Sequence, residues 1–434
     1  MSFSHSELLE RHRRVMPRWL SLYYDEPIEL VDGKGCVVTD AEGNSYLDFF
    51  GGILTTSSGY NVSEVVDAIR EQAGRMLHSS TLYMIGPMVE LAESISDLST
   101  IPNAKVFFVN SGTEAIETAL MLACVSRKSN QVLALRHSYH GRSFAAMSVT
   151  GNRSWSASGL SPLNVSYVQN GYRFRNPLGY LDDKELIRVC VQDLEEVIET
   201  STSGDIACMI AEPIQGVGGF IVPPDGFLKA LKHVLDRYGI YFISDEVQTG
   251  WGRTGDHFWG FQAHEIMPDM LVFAKGLGNG LAIGGVVGRA ELVDSLEANS
   301  ISTFGGNPLS TAGALANLKY LLDHDLQSNA REIGNYILQK LHEKVGGLGV
   351  IGEIRGKGLM IGVELVESGT ITPNSDAARS VLEISKREGL LVGRGGLYGN
   401  CLRIAPPMSV SIDEAERAVE ILADALRLVD KECV

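Results

Sequence analysis

Between residues 106 and 274 the chain repeats one pattern: a short run of apolar, mostly β-branched or aromatic residues, then a segment with helical periodicity. The runs fall at 106–109, 132–135, 206–211, 240–244 and 270–274. Apolar runs of this length without alternation read as strands buried on both faces, and such strands belong to parallel sheets covered by helices. In 226–238, Phe227, Leu228, Leu231, Val234, Leu235 and Tyr238 share one helical face. The fold class is therefore α/β, with a central, mostly parallel sheet.

The flanks have a different texture. Residues 36–50 alternate apolar and polar around Glu42-Gly43-Asn44, a hairpin signature. Past residue 310 a long helical stretch (308–345) leads into IRGKGLMIGVELV, a helix, and LLVGRGGLYGNCLRI. A last helix opens at Ser411 with Glu414 three residues on, a capping box. A chain of 434 residues is too long for one ordinary core. The pattern predicts a large domain over 59–310 and a smaller, discontinuous α+β domain from 1–58 and 311–434.

Composition excludes several classes. With 37 Lys and Arg against 53 Asp and Glu, the net charge of −16 is unsuited to nucleic acid or an anionic membrane. Six cysteines, Cys36, Cys124, Cys190, Cys208, Cys401 and Cys433, lie far apart and read as reduced thiols. Glu7 and Glu10 stand among the N-terminal arginines with no apolar segment after them. No stretch approaches 18 apolar residues, so no transmembrane helix is expected. A cytoplasmic location is the expectation.

Ligands of open α/β sheets bind beyond the carboxyl ends of the strands. In AKVFFVNSGTEAIETALMLA a strand runs through Asn110-Ser111-Gly112-Thr113 into a helix, and free amides beside two hydroxyls make a phosphate cradle. Taken alone, a capped helix start accounts for it equally, with Ser111 and Glu114 as cap residues. In IYFISDEVQTGWGRTG a buried strand ends in Asp245-Glu246, with Gln248 close behind. A cap or salt bridge needs one acid, and here there are two. Lys275 follows another buried strand in DMLVFAKGLGNGLAIGG. Burial depresses an amine's pKa and makes it a nucleophile toward aldehydes, the alternative being a lysine that snorkels to solvent. Glu212 closes a fourth strand in MIAEPIQGVGG. Phosphate cradle, carboxylate, amide and amine together are what pyridoxal 5′-phosphate requires.

These blocks resemble the class III (omega-type) pyridoxal-phosphate-dependent aminotransferases. FISDEVQTGWGRTG, FAKGLGNG, NSGTEA, SYHGRS, AEPIQG, STFGGNPL, IRGKGLMIGVEL and LRIAPP match in the family's order, from about residue 27 onward. Val217 and LDFFGGI point to the alanine–glyoxylate aminotransferase type 2 branch. The resemblance implies fold type I and a ping-pong transamination from an amino acid or amine to a 2-oxo acid, pyruvate or glyoxylate. It implies that Lys275 bonds the cofactor's aldehyde and moves the proton between substrate Cα and cofactor C4′. Asp245 would pair with the pyridine nitrogen and Gln248 with the phenolic oxygen. Tyr139 would stack on one ring face and Val247 pack on the other, with Gly112 and Thr113 on the phosphate. Thr303 would reach the phosphate across a subunit interface, implying a homodimer or homotetramer. Arg403 would clamp the substrate α-carboxylate.

Two departures stand out. The family's G-H-x-H-P is Gly59-Tyr60-Asn61-Val62-Ser63, which puts donor specificity in doubt. Members acting on ornithine or 4-aminobutyrate carry a Glu after Q-G that covers the arginine, and this chain has Val217, which leaves Arg403 open. The same site could instead serve a dialkylglycine decarboxylase, an amino-acid racemase or an amine phospholyase. His137 and His140 lack a carboxylate or thiolate to complete a metal set, so no metal is expected. Tyr23-Tyr24 edge the pocket or simply pack, and Glu212 reads as supporting rather than catalytic.

Overall fold

The computed structural model describes residues 4–432, so Cys433 lies outside the described residues. Two seven-stranded sheets carry the architecture. In chain order the strands are β1 Leu30–Lys34, β2 Val37–Asp40, β3 Ser45–Phe49, β4 Ala104–Val109, β5 Gln131–Leu135, β6 Asn164–Val168 and β7 Cys208–Ala211. They continue with β8 Tyr241–Asp245, β9 Met270–Phe273, β10 Gly284–Arg289, β11 Ile351–Lys357, β12 Met360–Leu365, β13 Leu390–Gly395 and β14 Cys401–Ile404. One sheet has the order β4-β10-β9-β8-β7-β5-β6, the other β1-β2-β3-β13-β14-β12-β11.

All five apolar runs fall in strands of the first of these sheets, but β4 is not buried on both faces as expected: it is an edge strand, paired antiparallel with β10 and partly exposed at Val106 and Phe107. From β9 to β6 the pairing is parallel throughout, and β10 runs antiparallel to both β9 and β4. Strand β10 escaped the sequence reading because GGVVGR is half glycine, and β6 because NVSYV alternates. The Glu42-Gly43-Asn44 hairpin forms between β2 and β3. Ser411 and Glu414 cap the helix Ile412–Glu432 reciprocally.

Two further expectations need correction. The stretch 308–345 is two helices, Pro308–Asp323 and Leu326–Val345, because Asp325 turns left-handed at φ 45° and caps the second through Ser328 N. The helix Phe227–Tyr238 buries five of its six named apolar residues, but Tyr238 at the last turn is exposed. Beside the first sheet, the helix Pro308–Asp323 packs on Ser63–Arg75 and Gly86–Ser99. The largest apolar core takes Leu271 and Phe273 from that sheet and Ile361, Val392 and Leu402 from the other, so the sheets share an interior.

Candidate active site

The carboxyl ends of β7, β8 and β9 converge on one cavity of about 210 Å³. It is lined by Gly112, Thr113, Tyr139, Asp245, Val247, Gln248 and Lys275, seven residues singled out from the sequence, together with His140 and Glu212. Asp245 ends β8, a central strand, and is 4% exposed. Its Oδ2 lies 2.7 Å from His140 Nδ1 and its Oδ1 accepts from Val247 N at 3.1 Å. From the sequence alone His140 invites only comparison with a metal ligand. Its position directly after Tyr139 in SYHG was the available signal. His137 packs on Tyr172 instead, so the two histidines serve separate contacts.

Lys275 leaves β9 in a left-handed conformation (φ 40°), which is costly for a residue with a Cβ. Neighbours hold the turn in place. Ser57 Oγ donates to Gly276 O at 2.6 Å, and Asn317 Nδ2 donates to the carbonyls of Gly276 and Leu277 at 2.9 Å each. Neither residue was legible in the sequence as part of the site. Burial lowers the Lys275 pKa from 10.5 to about 8, with Arg403 adding repulsion and Asp245 and Glu212 opposing it. The lysine does not snorkel away, although it keeps some exposure toward the cavity.

Glu212 accepts from Tyr139 N at 3.0 Å and Gly216 N at 2.8 Å. It thereby joins the loop bearing the aromatic ring to the one behind Gln248. Burial raises its pKa to about 7, with His140 opposing and Asp245 adding to the rise. Glu246 is the second acid of the pair and faces elsewhere. It accepts from Ser244 Oγ, Thr249 Oγ1 and the amides of Gly260 and Phe261, and burial raises its pKa. Glu246 therefore organises the loop after β8 while Asp245 faces the cavity.

Ser111 caps the helix Gly112–Arg127 by accepting from Glu114 N at 3.3 Å. Cap and cradle coexist, because the first amides of a helix have no intrahelical acceptor and remain open to an anion. Thr113 Oγ1 accepts from the amides of Arg142 and Ser143 at 3.1 Å each, which brings the 141–143 loop against this helix end.

Arg403 on β14 is not among the lining residues but reaches them: its Nη2 donates to Gln248 Oε1 at 2.8 Å. Gln248 thus links cavity and arginine, a contact the sequence reading did not include. Arg403 Nε is buried with no hydrogen-bond partner among the described residues. Thr303 is exposed and stands apart from the cavity of its own chain. Among the described residues no cluster of three or more His, Cys, Asp or Glu is arranged to hold a metal ion.

The class III aminotransferase family model matches residues 23–426, nearly the whole chain. This chain is a class III aminotransferase. The chain is 36% identical over 417 residues to alanine–glyoxylate aminotransferase 2 homolog 2, mitochondrial, of Arabidopsis thaliana, covering 96% of this chain and 86% of the relative. That match bears out the resemblance to the type 2 branch. It is also 35% identical to the alanine/serine racemase of Pyrococcus horikoshii, over 97% of this chain and 90% of that one. An (S)-enantioselective omega-transaminase from Thermomicrobium roseum superimposes with a TM-score of 0.91 at 34% identity, over 99% of this chain and 100% of the other. Class III aminotransferases depend on pyridoxal phosphate and pass an amino group from a donor to an oxo acceptor. The cavity fits that cofactor: it presents an amine, a carboxylate, an amide and an aromatic ring opposite an open helix N-terminus. Among the described residues no helix is long and apolar enough to cross a membrane.

Proposed function

We propose that this aminotransferase accepts an α-amino acid in one half-reaction and returns the amino group to a short 2-oxo acid, pyruvate or glyoxylate, in the other. The observation that carries this reading is Arg403, a buried guanidinium with an unpartnered Nε at the edge of the cavity. An uncompensated buried cation is costly, and a substrate carboxylate supplies the missing anion by charge-assisted, bidentate hydrogen bonds. Val217 leaves the arginine without the acidic cover.

When bound, pyridoxal phosphate supplies an electrophilic aldehyde and an electron-withdrawing ring. The chain's residues do the rest. Lys275, its pKa lowered by burial to about 8, is in part unprotonated at neutral pH; it would hold the cofactor at its aldehyde carbon and is the amine placed to carry a proton from the substrate Cα. Asp245, oriented by His140 and the Val247 amide, would receive the ring N–H. Gln248 would meet the phenolic oxygen, Tyr139 and Val247 would bracket the ring, and Gly112 and Thr113 would take the phosphate.

The same proposal includes a homodimer or homotetramer in which Thr303 serves the site of the neighbouring subunit. Exposed Ile301 and Phe304 flank Thr303, and exposed Leu77, Leu82, Tyr83 and Met84 extend the apolar surface, with the His78 and Phe304 rings 5.2 Å apart. It also includes the domain limits at 59–310 and a cytoplasmic location. Five described cysteines without disulfides accord with a reducing compartment.

The test is the visible band of the purified holoenzyme. L-Alanine alone bleaches it, pyruvate or glyoxylate restores it, and Arg403→Ala removes the response to L-alanine. A band that no α-amino acid moves would refute the reading. The racemase relative favours one second reading, racemisation in the same cavity. D-Alanine formed from L-alanine without any acceptor would establish it.

A further inference from the structure

Four strands of the sheet that carries Arg403 place two arginines and two glycines in a single row. Arg355 pairs with Gly362, Gly362 with Arg403, and Arg403 with Gly393. Residues paired across adjacent strands share a face of the sheet. Each glycine is a slot. A Cβ on Gly362 would lie 2.5 Å from the Gly219 carbonyl oxygen, and one on Gly393 would lie 2.3 Å from the Phe50 ring. The turn bearing Phe220 therefore sits over the first slot and Phe50 over the second. Between them lies Arg403, its guanidinium carbon 4.6 Å from the Phe220 ring centre and 5.2 Å from that of Phe50.

Each plate has its own anchor. Asp48 accepts from the amides of Phe50 and Gly51 at 2.9 and 3.0 Å and from Tyr60 Oη at 2.5 Å, so Tyr60 braces the Phe50 turn. Arg355 holds the other turn: its Nε donates to the carbonyls of Gly219 and Phe220 at 3.1 and 3.2 Å, and its Nη2 to Gly219 at 2.7 Å. Its Nη1 is fixed by Glu364 at 2.8 Å and Glu353 at 2.5 Å. Tyr172 and Arg175 bond the same Glu364.

We propose that Arg355 is a positioning residue for carboxylate recognition: it fixes the 219–220 turn so that Phe220, opposite Phe50, holds the Arg403 guanidinium in the orientation that meets a substrate carboxylate. The inference rests on the reading of Arg403 as the carboxylate clamp. A guanidinium between two aromatic faces keeps its favourable contact only in a narrow range of rotamers. Fixing it in advance spares the substrate the entropy of ordering a long side chain. Loss of Arg355 should therefore weaken binding of carboxylates more than it slows chemistry.

The experiment uses two holoenzyme variants. Arg355→Lys keeps a cation beside Glu364 and Glu353 but lacks the planar fork that reaches both carboxylates and both carbonyls at once. Gly362→Ala displaces the same turn and leaves the ion cluster intact. Aminooxyacetate and methoxyamine carry one nucleophile with and without a carboxylate, and both are followed through the visible band. The aminooxyacetate-to-methoxyamine ratio of second-order rate constants should fall about tenfold in each variant, the scale of a desolvated cation–π contact. The half-saturating L-alanine concentration should rise to match, with a smaller change in limiting rate. An unchanged ratio in both folded variants would overturn the proposal, as would an equal loss with both probes. Should Arg355→Lys fail to fold, Gly362→Ala and Phe220→Leu decide by the same ratio. Arg403→Ala separates the two layers. If it does not lower the ratio, the clamp reading itself fails; if it does while the others do not, only the role of Arg355 fails.

Discussion

Lys275→Met should stabilise the apoprotein at neutral pH. In the folded chain the lysine's pKa falls from 10.5 to about 8, chiefly through burial. At roughly 1.4 kcal/mol per pH unit this corresponds to about 3 kcal/mol of unfavourable free energy below pH 8. It is an upper bound, since the side chain still meets the cavity. Between pH 8 and 10.5 the unfolded chain holds a proton that the folded chain has lost. Stability therefore rises with pH across that window, and below it the cost is present in full. Methionine has similar length and carries no charge. A chain of 434 residues has an unfolding entropy of about 0.9 kcal/mol/K, so the variant should melt roughly 3 °C higher at pH 7. The assay is thermal unfolding of both apoproteins at one protein concentration, at pH 7 and again near pH 10.5. Cofactor must be absent from both, because its attachment to the wild type would add its own stabilisation. The difference should shrink at the higher pH. A variant that melts no higher at pH 7, or whose advantage grows with pH, would refute the reasoning.

Glu246→Gln should destabilise the protein by about 2 kcal/mol in denaturant melts, because an amide cannot accept from all four buried donors. The variant that does fold should keep its visible cofactor band. Gly216→Ala should strongly reduce steady-state turnover, since the added methyl would lie 2.3 Å from the Gln248 side-chain amide. Normal turnover would show that Gln248 can shift without consequence. Tyr60→Phe removes the hydroxyl from Asp48 and should raise KM for L-alanine severalfold through a loosened Phe50 turn. An unaltered KM would disconnect Tyr60 from Arg403.

The local chemistry of the site was legible because strand ends are marked by abrupt changes of polarity. Asp245 and Lys275 each follow an apolar run, where an ionisable group is costly unless it is paired or used. What supports them was not legible. His140, Ser57 and Asn317 are ordinary polar residues far from Asp245 and Lys275 in sequence, and only the folded chain brings them into bonding distance. The adjacent acids of the pair also look alike in sequence. Successive side chains at a strand end point opposite ways, which sends Asp245 into the cavity and Glu246 to Gly260 and Phe261.

The α/β class, the five strands of the apolar runs and the set of groups that meets pyridoxal phosphate were legible along the chain. These depend on periodicity and on residues close along the chain. The antiparallel course of β10 and the enclosure of Arg403 by Phe50 and Phe220 arise only once the chain has folded. The physical reason is that strand register aligns residues far apart in the chain. Arg355, Gly362, Gly393 and Arg403 form one row only after four strands have paired.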